Sequence, residues 1–99
     1  MHIHNVYFWL KEDVGDKAQL KFAEGLVALT NDSNVVSGYF GKPADTRRDV
    51  VENSYSFGLV LVFEDKAGHD DYQKGAPHRR FLDEHMEKWE RVLVFDIES

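Results

Sequence analysis

Apolar and polar residues alternate along three stretches of the chain, and between them apolar positions recur every three or four residues. The first alternating run covers residues 2–10. It sends His2, His4, Val6, Phe8 and Leu10 to one face and Ile3, Asn5, Tyr7 and Trp9 to the other. Both sets are largely apolar, which predicts a strand covered on both sides rather than wetted on one. The second run, residues 55–63, places Tyr55, Phe57, Leu59, Leu61 and Phe63 opposite Ser56, Gly58, Val60 and Val62. Gly58 predicts a gap in the sheet surface there. The third run, residues 91–97, sets Leu93, Phe95 and Ile97 against Val92, Val94 and Asp96. A further strand is predicted over residues 35–41, stopped by Pro43, which has no amide for a ladder.

The helical spacing comes in two blocks. Asp16 and Gln19 form a D-x-x-Q start resembling a capping box, and Phe22, Ala23, Leu26 and Leu29 make one stripe behind it. Gly25 costs such a helix about 1 kcal/mol relative to alanine, and predicts close approach to the sheet. Asn31, Asp32 and Ser33 end the helix. Asp65 caps a second helix reaching Lys74. Gly75 then stops it and Pro77 opens another at its favoured first-turn position. Phe81, Leu82, His85 and Trp89 are predicted to share one stripe of that last helix. Residues 43–53 form a polar connection too long for a tight hairpin.

The order is β-α-β-β-α-β with a broken second helix. That predicts a ferredoxin-like α+β protomer: a four-stranded antiparallel sheet with its helices on one face. The other face would leave a large apolar area in water. A two-fold homodimer packed sheet face to sheet face resolves this.

Composition narrows the reading. Ninety-nine residues make one domain, 1–99. Twelve Lys plus Arg against 18 Asp plus Glu give a net charge of −6, which argues against nucleic acid or an anionic membrane as partner. There is no cysteine, so a reducing, cytoplasmic setting is expected. The opening MHIHNVYFWLKED has no basic stretch ahead of its short apolar run and no small-residue cleavage site, so no signal peptide is expected. No apolar segment approaches the roughly 20 residues of a membrane helix.

The chemistry-bearing residues gather at the helix break. Tyr72 and His78 flank it, so a kink rather than one helix sets their spacing. A tyrosine hydroxyl can hydrogen-bond a carbonyl oxygen, and a neutral imidazole can accept a proton near pH 7. The competing reading is a packed tyrosine with its hydroxyl tied off and a histidine in a first helical turn. His2 and His4 share a strand face with metal-chelating spacing. The sequence joins no carboxylate to them, and His69 reads as surface, so no metal and no cofactor are expected. His85 lies about 10 Å along the axis from His78, too far to share an ion. There is no phosphate-binding glycine loop, H-E-x-x-H or nucleophile elbow. Trp9 and Trp89 are expected to pack in the core or the dimer contact, with an aromatic ligand platform as the minor reading.

Three segments resemble the stress-responsive A/B barrel (Dabb) family. HNVYFWLK is similar to its opening H-x-V-x-F-x-L-K strand, with His4 in the histidine position. SFGLVLVFED is similar to its third strand and the helix start that follows. YQKGAPHRRFLDEHMEKWERVLVFD is similar to its Y-x-x-H-P-x-H-x-x-F segment and closing strand, matching at Tyr72, Pro77, His78 and Phe81. Ala76 stands where the family usually has histidine. The resemblance implies a dimeric α+β barrel of ferredoxin-like protomers, most members having no known activity. A plant member closes a linear polyketide by aldol condensation without a cofactor. Its catalytic tyrosine and histidine fall on Tyr72 and His78, its strand-one histidine on His4, and a third-strand pocket histidine on Phe57. The implied site is therefore catalytic Tyr72 and His78, with His4, Phe57, Phe81 and Trp89 around a small carbonyl- or phenol-like molecule. A non-catalytic stress-associated binding or structural protein, a cofactor-free cyclase and a cofactor-free monooxygenase of the related barrel class remain the alternatives.

Overall fold

The computed structural model describes residues 1–99. The chain runs β1 (His2–Leu10), α1 (Asp16–Thr30), β2 (Ser37–Gly41), β3 (Phe57–Phe63), α2 (Lys66–Lys74), α3 (Ala76–His85), a short 3-10 turn (Met86–Lys88) and β4 (Trp89–Glu98). The strands form one sheet in the order β2-β3-β1-β4, every pair antiparallel. This is the ferredoxin-like arrangement expected from the order of elements.

β1 is central, and its alternation sorts the sheet into two faces. Val6 and Phe8 join Phe57, Leu59, Leu61 and Phe63 of β3 in one buried cluster with Phe22, Leu26 and Leu29 of α1, Tyr72 of α2 and Phe81 of α3. All three helices therefore cover the same side. Burying a side chain such as Leu26, fully out of water, stabilises the fold by about 1.5–3 kcal/mol. On the opposite face Tyr7, Val60 and Val62 are half-buried, and Phe95 and Ile97 remain more than half exposed.

Several local expectations are corrected. Gly15, not Asp16, is the N-cap of α1, and the Gln19 amide donates to the Val14 carbonyl, so no capping box forms. β2 and β3 start two residues later than predicted. Tyr55 thereby escapes the alternation and packs its ring on Tyr7, at 5.0 Å between centroids, and on Trp9, both on the outer face. These tyrosines flank Gly58, where an added Cβ would lie 3.3 Å from Tyr7, so the predicted gap is filled. Trp89 is not on α3: that helix ends at His85, and Trp89 opens β4. It still reaches the core, 5.1 Å from the Phe8 ring. Asp65 caps α2 as expected, accepting the Gly68 amide at 2.9 Å.

Gly25 serves a helix contact rather than the sheet. A Cβ there would stand 2.6 Å from His85 Nε2 and 3.1 Å from Phe81 Cδ1, both on α3. His85 is buried and packs on Phe22 and Phe81, contacts it would have to give up to make room. Gly25→Val is expected to lower stability by about 1–3 kcal/mol through overpacking. Urea unfolding with an unchanged midpoint would show that α1 and α3 can separate at no cost.

Candidate functional site

The break between α2 and α3 builds the site. Gly75 ends α2 with its amide on the Tyr72 carbonyl and serves as N-cap of α3 in extended conformation. Pro77 fits the following turn because it has no amide to lose. The kink lays the Tyr72 ring 5.0 Å from the His78 ring, edge to face. Tyr72 is almost wholly buried and also packs on Phe63 and His4.

Below these rings lies a cavity of about 180 Å³ between the helices and the sheet. Tyr72, Gln73 and His78 line it from the helix break, Phe81 and Leu82 from α3, and His4, Val6 and Phe8 from β1. Val92 and Val94 of β4 form the opposite wall and are 40% and 45% exposed, so the cavity opens along the β4 edge. Trp89 closes one end. His4, Tyr72, His78, Phe81 and Trp89 thus gather as the sequence suggested. Phe57 does not. It pairs with Phe8 on the neighbouring strand and packs on Phe22, which leaves Phe8 between it and the cavity.

The polar groups differ in their freedom. No protein group hydrogen-bonds the Tyr72 hydroxyl, and it is not among the sealed, unpartnered polar atoms, so the cavity reaches it. Burial, aided by the charge on Asp32, pushes this hydroxyl far above the usual tyrosine range. It stays protonated and is a donor. Burial holds His78 below the ordinary histidine value, and nearby His4 and His69 press the same way; the Gln73 backbone and Asp32 oppose them. The His78 imidazole is therefore neutral at neutral pH and can accept a proton. His4 is also held low by burial, against the pull of Asp96, whose carboxylate lies 2.6 Å from its Nδ1.

Asp96 was not visible as a partner from its spacing. The antiparallel register sets it directly across from His4, over ninety residues away in sequence. His69 was read as surface, but its side chain is only 14% exposed and its ring stacks on His2 at 4.2 Å. Its place on the inward side of α2, three residues before Tyr72, was the available signal.

A sequence profile for stress-responsive A/B barrel domains matches residues 3–99. The chain belongs to the Dabb family. No protein of curated function matches the sequence significantly. Among solved structures, this Dabb chain is similar to an Arabidopsis thaliana protein at 20% identity, covering 100% of this chain and 95% of that one, with a TM-score of 0.83. It is similar to a dimeric ferredoxin-like protein of unknown function from Thermobifida fusca at 16% identity, with 99% and 90% covered and a TM-score of 0.81. A hydroxynitrile lyase from Passiflora edulis matches at 16% identity over 97% of this chain and 90% of that one, with a TM-score of 0.80. At these identities the likeness is one of fold.

The free hydroxyl of Tyr72 sets a clear expectation. Tyr72→Phe should leave stability within about 0.5 kcal/mol of the parent, the range of a neutral substitution. A loss of about 1–3 kcal/mol in urea unfolding, typical of an abandoned buried partner, would mean that the hydroxyl serves the fold.

Proposed function

We propose that this Dabb domain is a homodimeric small-molecule-binding protein whose cavity takes a carbonyl- or phenol-like ligand. The observation that carries the reading is the unengaged Tyr72 hydroxyl beside the His78 ring in a mostly apolar cavity. Pockets that fix small ligands have this composition: apolar walls and a few convergent polar groups. Tyr72 would donate to the ligand oxygen, and neutral His78 would accept a hydrogen bond or a proton from it. His4 and Gln73 are the other polar side chains of the lining.

The same pair is suited to chemistry. A protonated tyrosine that donates to a carbonyl oxygen stabilises the charge developing on it when a neighbouring base removes a proton. His78 is that base in this reading and Tyr72 the donor. The fold shared with a hydroxynitrile lyase adds weight to a reaction at a carbonyl centre: when a base takes the hydroxyl proton of a cyanohydrin, the C–CN bond breaks, the carbonyl forms and cyanide leaves with that proton as HCN. The non-catalytic alternative keeps the same cavity and the same contacts with the ligand.

Thermal-shift and calorimetric titration with benzaldehyde, 4-hydroxybenzaldehyde and racemic mandelonitrile test both. Binding is expected in the parent and about five- to tenfold weaker in Tyr72→Phe and His78→Ala, the loss of one hydrogen bond of about 1–1.4 kcal/mol. Turnover of mandelonitrile should fall as the pH drops through the lowered His78 value, because the base gains its proton. Burial sets that value first; His4 and His69 lower it further, the Gln73 backbone and Asp32 oppose them, and Tyr72 packs against the ring. Binding that is equal in the parent and both variants would refute the assignment of the cavity.

In this reading the second copy packs on the outer sheet face. Ile3, Tyr7, Val60, Val62, Phe95 and Ile97 form an apolar face that no element of the chain covers. Packing two such sheets together removes it from water, and the similar fold from Thermobifida fusca is described as dimeric. Phe95→Lys is expected to give monomer or aggregate in analytical ultracentrifugation. A dimer that withstands Phe95→Lys together with Ile97→Lys would place the contact elsewhere.

A further inference from the structure

The end of the sheet beyond the cavity carries a second cluster, of which the reading above uses His4 alone as a cavity contact. His2 and His4 leave β1 on the helix side, Asp96 stands across from His4 on β4, and His69 comes down from α2. Each offers one donor atom, and all four donors lie within 4.8 Å of one another. We propose that His2, His4, His69 and Asp96 bind one divalent transition-metal ion, with zinc as the species whose preferences they fit best.

Ligand chemistry is the first argument. Three imidazoles and a carboxylate form a nitrogen-rich set with no thiolate, which suits zinc, cobalt, nickel or copper and disfavours magnesium and calcium. Four protein ligands, and no more, match the tetrahedral number of zinc.

The second argument is that the cluster is unsatisfied as it stands. His2 Nε2 is sealed from solvent and has no hydrogen-bond partner, although Asp96 Oδ1 is 3.2 Å away. The same Oδ1 lies 2.6 Å from His4 Nδ1. Two imidazole nitrogens therefore converge on one carboxylate oxygen, and only one of them has bonding geometry. A sealed polar nitrogen without a partner costs free energy. A cation placed among the donors removes that cost, because the lone pair of His2 gains an acceptor for its electrons.

Position is the third argument. Donors around tetrahedral zinc are about 3.3 Å apart. The widest separation here exceeds this by about 1.5 Å, a distance that small ring rotations of two side chains can share. Asp70 Oδ1 lies 3.2 Å from His69 Nδ1 and can accept a hydrogen bond from its N–H, which leaves Nε2 with its lone pair. The Gln73 amide, 3.4 Å from His69 Nε2, is the one group that must turn aside. β1 and β4 are tied by ladder hydrogen bonds, so three of the four ligands sit on a rigid base.

Metal binding is read without any organic ligand, so its failure and that of the cavity assignment are separable. Purified protein is dialysed against a chelator and titrated with cobalt chloride, followed by visible absorption, and with zinc chloride by calorimetry. The expected result is one ion per chain, with the intense visible bands of four-coordinate cobalt, and displacement of cobalt by zinc. His69→Ala and Asp96→Asn should each weaken zinc binding by at least about 100-fold, because altering even outer-shell partners costs 10–100-fold. Circular dichroism checks that both variants fold, and Asp96→Asn keeps the side-chain shape if His69→Ala does not. Tyr72→Phe should retain the cobalt spectrum. Absence of four-coordinate cobalt bands, or equal zinc affinity in the parent and the folded variants, would overturn the proposal.

Discussion

β1 is hydrogen-bonded along both edges, and the rest of the molecule depends on that. A central strand has no freedom to slip, because moving its register by one residue would carry every side chain to the other face. Here a slip would send Val6 and Phe8 away from the helices and bring Tyr7 and Trp9 into the core. The two ladders also fix what stands beside what. Phe8 meets Phe57 on one side and Val92 on the other, and His4 meets Leu61 and Asp96. The cavity wall and the histidine cluster are thus successive positions on one rigid strand.

The helix layer is organised by a different constraint. Gly75 interrupts the helical hydrogen-bond ladder between α2 and α3, and Pro77 prevents its repair. An unbroken helix would place residues 72 and 78 nearly two turns apart. The break turns the chain so that their rings touch. The same turn leaves α3 free to approach α1 at Gly25, where His85 fills the space a side chain would need. Close packing on the α1 side and an unfilled space on the β4 side belong to one helix orientation.

The faces of β1 and β3, the helix break and the order of elements were legible in the sequence because each rests on local periodicity or on a residue with one strong backbone preference. Asp65 as a cap and Gly75 with Pro77 as a break are of this kind. Tyr55 and Trp89 were misplaced because periodicity does not say where an element ends: Tyr55 lies two residues before β3 and Trp89 four residues past the end of α3. The site shows the same division. Tyr72, His78 and Phe81 could be grouped from a single segment. Asp96 could not be joined to His4, because only the β1–β4 register brings them together. Phe57 was drawn to the pocket by resemblance, whereas the ring of Phe8, one strand over, holds it away.

The two tryptophans sit on opposite sides of the sheet. Trp89 forms part of the cavity wall. Trp9 lies on the outer face, with the Arg91 guanidinium 4.4 Å from its ring centre and its indole nitrogen donating to Ser54. Each indole therefore samples a separate dielectric environment. The emission of this protein is a sum of two independent reporters, one sensitive to what enters between sheet and helices and the other to what lies against the bare side of the sheet.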